Sequence, residues 1–126
     1  SGRFKDVTDG SGLGVSMYGM GVAVGDFDND GRRDVFLSGV HENRLFKNEA
    51  GTFRDVTAES GIRGRSDQWG TSCGWFDFNN DGLLDLFLCN YIQWDKETDF
   101  ELGSTLDGVH RANGPPTQIQ RAFACL

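Results

Sequence analysis

The sequence predicts an all-β chain built from repeated four-stranded antiparallel units of the kind that form β-propeller blades. Three observations carry that expectation. An acidic loop occurs twice, a second motif recurs at nearly the same interval, and the apolar runs between turn residues are too short for helices. The loops are GDFDNDGRRDVFL at 25–37 and WFDFNNDGLLDLFL at 75–88, with Asp26 and Asp77 lying 51 residues apart. The other motif, FKDVT at 4–8, returns as FRDVT at 53–57, an interval of 49 residues. Two elements in the same order at matching spacing define a supersecondary unit of about 50 residues, within the range of propeller and solenoid repeats.

Taken in order, residues 1–19 hold a spare copy of the last strand of a unit and a crossing segment. The first unit, 20–57, divides into GVAVGDF (21–27), DVFLSG (34–39), NRLFKNE (43–49) and TFRDVT (52–57). The β-branched and aromatic content of these runs favours strands, and the acidic loop, residues 40–42 and residues 50–51 supply the turns. Residues 58–126 begin with a crossing at 58–72 and continue as a second, incomplete unit whose first strands are TSCGWFDF (71–78) and DLFLCNY (85–91). An irregular insert is expected at 95–118. The run at 114–126 reads as the approach to the third strand, with Leu126 in the place of Leu45.

Each acidic loop reads D-x-[DN]-x-D-G-x-x-D. Oxygen ligands at alternate positions converge on one point only if the backbone turns sharply, which Gly31 and Gly82 permit through positive φ. The first loop offers the side chains of Asp26, Asp28, Asp30 and Asp34 and the backbone carbonyl of Arg32. The second offers Asp77, Asn79, Asp81 and Asp85 with the carbonyl of Leu83. Carboxylates this close repel strongly unless a cation lies among them. An all-oxygen set of this size suits Ca²⁺, which accepts 6–8 oxygens flexibly, better than Mg²⁺. The competing reading is a pair of metal-free Asp/Asn/Gly turns with solvated acids. An EF-hand is excluded, because it needs a bidentate Glu at position 12 and flanking helices. Position 12 here is Leu37 or Leu88, and β-formers follow.

The motifs together, F-x-D-V-T, then D-x-D-N-D-G-x-x-D-[VL]-F-L, then N-x-L-F-x-N-x-x-G-x-F-x-D-V-T, resemble the FG-GAP/VCBS-repeat family over residues 3–94. More narrowly they resemble its cartilage-acidic-protein-like group. The resemblance implies a calcium-stabilised, integrin-α-like seven-bladed propeller in secreted proteins, of which about two blades would lie here. It places two Ca²⁺ sites on the loop residues named above. The ASPIC/UnbV or EGF-like region that members often carry is not among these residues.

Composition agrees with such a domain. The formal net charge is −7, from 19 acidic and 12 basic residues, and seven of the acids are the candidate ligands, so the acidity reflects metal sites rather than a cationic partner. No Lys/Arg stripe suggests nucleic acid, no apolar run is long enough to span a membrane, and no signal peptide is evident. Pairing the second hairpin symmetrically about its loop sets Asp77 against Asp85, Trp75 against Phe87 and Cys73 against Cys89. That register leaves open a cross-strand disulfide or two small buried thiols. Cys125 has no evident partner.

His41 lies in a polar turn and His110 in the insert, neither with a nucleophile or carboxylate at a catalytic spacing, so a non-enzymatic module is expected. Trp69, Trp75 and Trp94 serve either packing between units or a carbohydrate-binding surface. The leading expectation is an extracellular or periplasmic calcium-dependent binding, adhesion or scaffold module with a protein or glycan ligand. The alternative is the calcium-braced propeller of a carbohydrate-binding or carbohydrate-active protein. A further expectation is self-association through the spare 4–8 strand, since exposed edges recruit strands.

Overall fold

The structure, a computed structural model, describes residues 2–93 and the backbone of 103–106, 109–112 and 121–124. The all-β expectation holds. The first sheet comprises β1 (Gly19–Gly25), β2 (Asp34–Gly39), β3 (Arg44–Glu49) and β4 (Thr52–Asp55), antiparallel and adjacent in chain order. These match the four segments of the first unit to within two residues at each end. A single helical turn, α1 (Thr57–Ser60), follows in the crossing and ends at Gly61, whose left-handed φ of 69° closes it. Backbone and side-chain bonds pin this turn to β3: Val56 N–H donates to the Leu45 carbonyl at 2.8 Å, and Leu45 N–H to Thr57 Oγ1 at 3.0 Å.

The second sheet contains β5 (Gln68–Phe76), β6 (Asp85–Gln93) and, beside β6, β9 (Arg121–Ala124). Between them the insert contains a hairpin of β7 (Gly103–Leu106) and β8 (Val109–Ala112), so it is not wholly irregular as expected. Trp94 and Cys125 lie outside the described residues.

Two register expectations are corrected. The second hairpin pairs Phe76 with Asp85, Trp75 with Leu86 and Cys73 with Leu88, one residue away from the symmetric pairing. Asp77 is therefore the first loop residue and not a strand partner of Asp85. The first hairpin does the same, pairing Gly25 with Asp34. Because a one-residue slip exchanges the faces of a strand, Cys73 and Cys89 are not direct cross-strand neighbours, and both are free thiols. On β9, Phe123 stands opposite Phe87 as Leu45 stands opposite Phe36. The position equivalent to Leu45 is thus held by Phe123 rather than Leu126.

The core lies between the two sheets. Ala23, Phe36 and Leu45 from the first meet Leu86 and Leu88 from the second, with Val56 and Ile62 from the crossing closing one side. Trp75 packs edge-on against Phe36 and stacks on Phe27, both at 6.3 Å between ring centres. Such a core keeps the sheets close. At Gly21 a methyl group would collide with the Thr71 carbonyl, and at Gly25 with the Trp75 ring.

The spare copy of the closing motif forms no strand. Residues 4–8 are coil, with Phe4 fully exposed and Val7 largely so. A strand needs a partner edge, and the outer edge of β4 is approached instead by the following residues: Phe53 N–H donates to the Ser11 carbonyl at 2.7 Å.

Candidate metal centre

Both acidic loops fold on one internal hydrogen-bond scaffold. In the first, Asp26 accepts from the N–H groups of Asp30 (2.9 Å) and Gly31 (2.8 Å), Asp30 from Arg32 N–H (2.9 Å), and Asp34 from Phe27 N–H (3.1 Å). In the second, Asp77 accepts from Asp81 (3.1 Å) and Gly82 (2.8 Å), Asp81 from Leu83 (2.8 Å), and Asp85 from Phe78 (2.8 Å). Every bond recurs 51 residues on. The dihedrals recur too, with φ of 56° at Asn29 and 61° at Asn80, then 83° at Gly31 and 87° at Gly82. Asn tolerates the left-handed region better than other side chains that carry a Cβ, which is why D-N-D-G and N-N-D-G both close this turn.

The scaffold aims carboxylates inward. Oxygens of Asp26, Asp28 and Asp34 lie within 4.8 Å of one another, and among the described residues this is the one trio of acidic side chains so placed. Asp34 is fully buried at the head of β2, with its second oxygen taking the Asn48 N–H at 2.7 Å. Burial pushes its carboxyl above the usual range, with the neighbouring charges of Asp28 and Asp30 adding to the rise and its two backbone hydrogen bonds opposing it.

Asp30 stands outside the trio. It pairs with Arg32 at 2.6 Å and with Lys47 at 3.1 Å, and Lys47 also pairs with Asp28. Partial burial of Asp30 is outweighed by these bonds and charges, which hold its carboxyl below the ordinary range. The Lys47 ammonium, held above its usual range by Asp28 and then Asp30, serves as a counter-charge to the cluster.

In the second loop Asn79 Nδ2 donates to Asp81 at 2.7 Å, and Asp81 is shifted below the usual range by the Leu83 N–H and then by Asn79. Its acids do not form an equivalent trio among the described residues. Replacing an acid by Asn79 removes the third carboxylate that Asp28 contributes in the first loop.

The donor chemistry fits a hard divalent cation: oxygen donors only, a buried carboxylate at the base, and excess negative charge. Sequence reasoning missed Lys47 and Asn48, which reach the loop from β3. Asn48 stands within the N-x-L-F-x-N run, but nothing local in that run reveals that it binds Asp34 and the Arg33 carbonyl.

His41 is engaged structurally, with its Nδ1 at 2.5 Å from the Ser66 carbonyl and its N–H bonded to Gln68. Trp75 is largely spent on packing. Among the described residues no helix is long and apolar enough to cross a membrane.

A sheet hairpin closed by a D-x-[DN]-x-D-G-x-x-D loop, repeated with its hydrogen bonds, defines a class of tandem β-repeat. A family model described as an FG-GAP-like repeat matches residues 26–88, and the chain belongs to that family. It is similar to cartilage acidic protein 1 of Xenopus tropicalis, at 35% identity over 83 residues. That match covers 63% of this chain and 13% of the relative, so the chain spans only a small part of that protein's length.

Proposed function

We propose that this chain is a calcium-binding pair of FG-GAP repeats, part of a β-propeller, serving as an extracellular binding or structural module without catalytic activity. Asp26, Asp28, Asp30 and Asp34 with the Arg32 carbonyl would hold one ion, and Asp77, Asn79, Asp81 and Asp85 with the Leu83 carbonyl the other. The ion would supply charge neutralisation and loop closure. The observation that carries this reading is the convergence of Asp26, Asp28 and Asp34 on a scaffold that the second loop repeats bond for bond.

The propeller part rests on the exposed faces. Val22 and Val24 are 61% and 56% exposed, yet their equivalents 51 residues on, Cys73 and Trp75, pack against the core. Phe78 is 67% exposed, while its equivalent Phe27 packs there. Each unit therefore presents one face suited to a preceding unit and one suited to a following unit, the arrangement that stacked repeats use to extend a core. The relation to a cartilage acidic protein supports an extracellular setting.

Calorimetric titration of the chain with Ca²⁺ and with Mg²⁺ tests the metal reading. Two Ca²⁺ bound per chain with much weaker Mg²⁺ binding is expected. Absence of Ca²⁺ binding, with a melting temperature unmoved by chelator, overturns it.

A further inference from the structure

The two acidic loops touch each other. Asn29, the fourth residue of the first loop, donates from Nδ2 to the carbonyl oxygen of Gly82, the sixth residue of the second, at 3.0 Å. That carbonyl belongs to the peptide joining Gly82 to Leu83. The N–H of the same peptide donates to Asp81 Oδ1 at 2.8 Å. One peptide group is thus held at both ends, by its own loop at the nitrogen and by the other loop at the oxygen. The next carbonyl along, that of Leu83, is the backbone ligand proposed for the second ion. Among the described residues the corresponding Gly31 carbonyl has no such clamp from Asn80, so the contact runs one way.

We infer that Asn29 is a positioning residue for the second cation site, and that through it the two sites are coupled. This rests on the calcium reading above. Asn29 is exposed and sits at φ 56°, held there by the Asp26 and Asp30 bonds of the first loop. The first loop's own hydrogen bonds hold Asn29, and Asn29 holds the Gly82–Leu83 peptide before the second ion arrives, so an ion that firms the first loop also firms this clamp. The second loop, with Asn79 in place of an acid, is the one that gains most from being arranged in advance, since an ordering cost met beforehand no longer opposes binding. Linkage requires the effect to be reciprocal.

The test uses the full chain and Ca²⁺ alone, with the backbone amides of Gly31 and Gly82 followed by NMR as separate reporters of the two loops. Asn29→Gly removes the donor while keeping the left-handed backbone unstrained. Asn80→Gly makes the same change at the equivalent place. A neutral hydrogen bond implies a coupling of about two- to tenfold. Asn29→Gly should move the Gly82 midpoint to higher Ca²⁺ by that factor, whereas Asn80→Gly should leave the Gly31 midpoint where it was. Asn29→Ser, which retains a donor on a shorter arm, should recover part of the shift. A Gly82 midpoint unchanged in Asn29→Gly, with both loops still titrating, overturns the inference alone. No titration of either loop in the parent chain overturns the calcium reading with it.

Discussion

Asp34→Ala should destabilise the chain even without any metal. Its carboxylate is fully buried and accepts the N–H groups of Phe27 and Asn48, so it ties the acidic loop to both β2 and β3. Truncation leaves two donors in a site water does not reach, at about 1–3 kcal/mol each. The raised carboxyl pKa shows that burying this charge already opposes folding, which offsets part of the loss. A net cost of about 2–4 kcal/mol follows, or a fall in Tm on the order of 10 °C for a domain this size. Asp85→Ala, whose carboxylate accepts one backbone N–H among the described residues, should cost about half as much. The assay is thermal unfolding followed by circular dichroism, first in chelator and then in excess Ca²⁺. In Ca²⁺ the parent should gain stability as RT ln(1 + [L]/Kd), and Asp34→Ala should gain less. An Asp34→Ala melt within about 1 °C of the parent in chelator would refute the argument, because it would mean these hydrogen bonds contribute no net stability.

Other substitutions probe separate parts of the structure. Gly21→Ala should destabilise by about 1–3 kcal/mol in denaturant unfolding, because its methyl would meet the Thr71 carbonyl and Ser38 between the sheets. Lys47→Met should tighten Ca²⁺ binding in calorimetry by removing an ammonium that competes for Asp28 and Asp30, and the gain should shrink at high salt. The Asp55 carboxyl is held below the ordinary carboxylate range: burial opposes ionisation, but hydrogen bonds from Thr57 and Arg44 outweigh it. A depressed carboxylate stabilises the fold above its unfolded pKa, and that contribution is lost as pH falls below about 4 through the folded value. Asp55→Asn should therefore flatten this part of the acid limb in a melting series from pH 5 to pH 2, and an unchanged slope would exclude it.

What the amino-acid order determined by itself is whatever closes within a few residues. The acidic loop is one such case, because all four of its scaffold bonds run between residues at most seven apart. The strands of the first unit are another, their β-branched and aromatic runs separated by turn residues. The repeat needs only two such patterns at one interval.

Tertiary structure decided what depends on distant partners. The register of the second hairpin, by contrast, follows from a local closure that the symmetric pairing overlooked: Asp77 turns into its loop to bind Asp81 and Gly82, four and five residues on, instead of continuing the strand. That register left Cys73 and Cys89 as thiols. The 4–8 motif has the composition of its strand-forming copy at 53–57 but pairs with no strand among the described residues, and there the same residues are coil. Lys47 and Asn48 reach the first loop from β3, and Asn29 reaches the second across 53 residues of chain. A hydrogen bond between residues that far apart forms only after two sheets have packed at a set distance. No local pattern encodes that distance, which is set by the glycines and aromatic side chains filling the space between them.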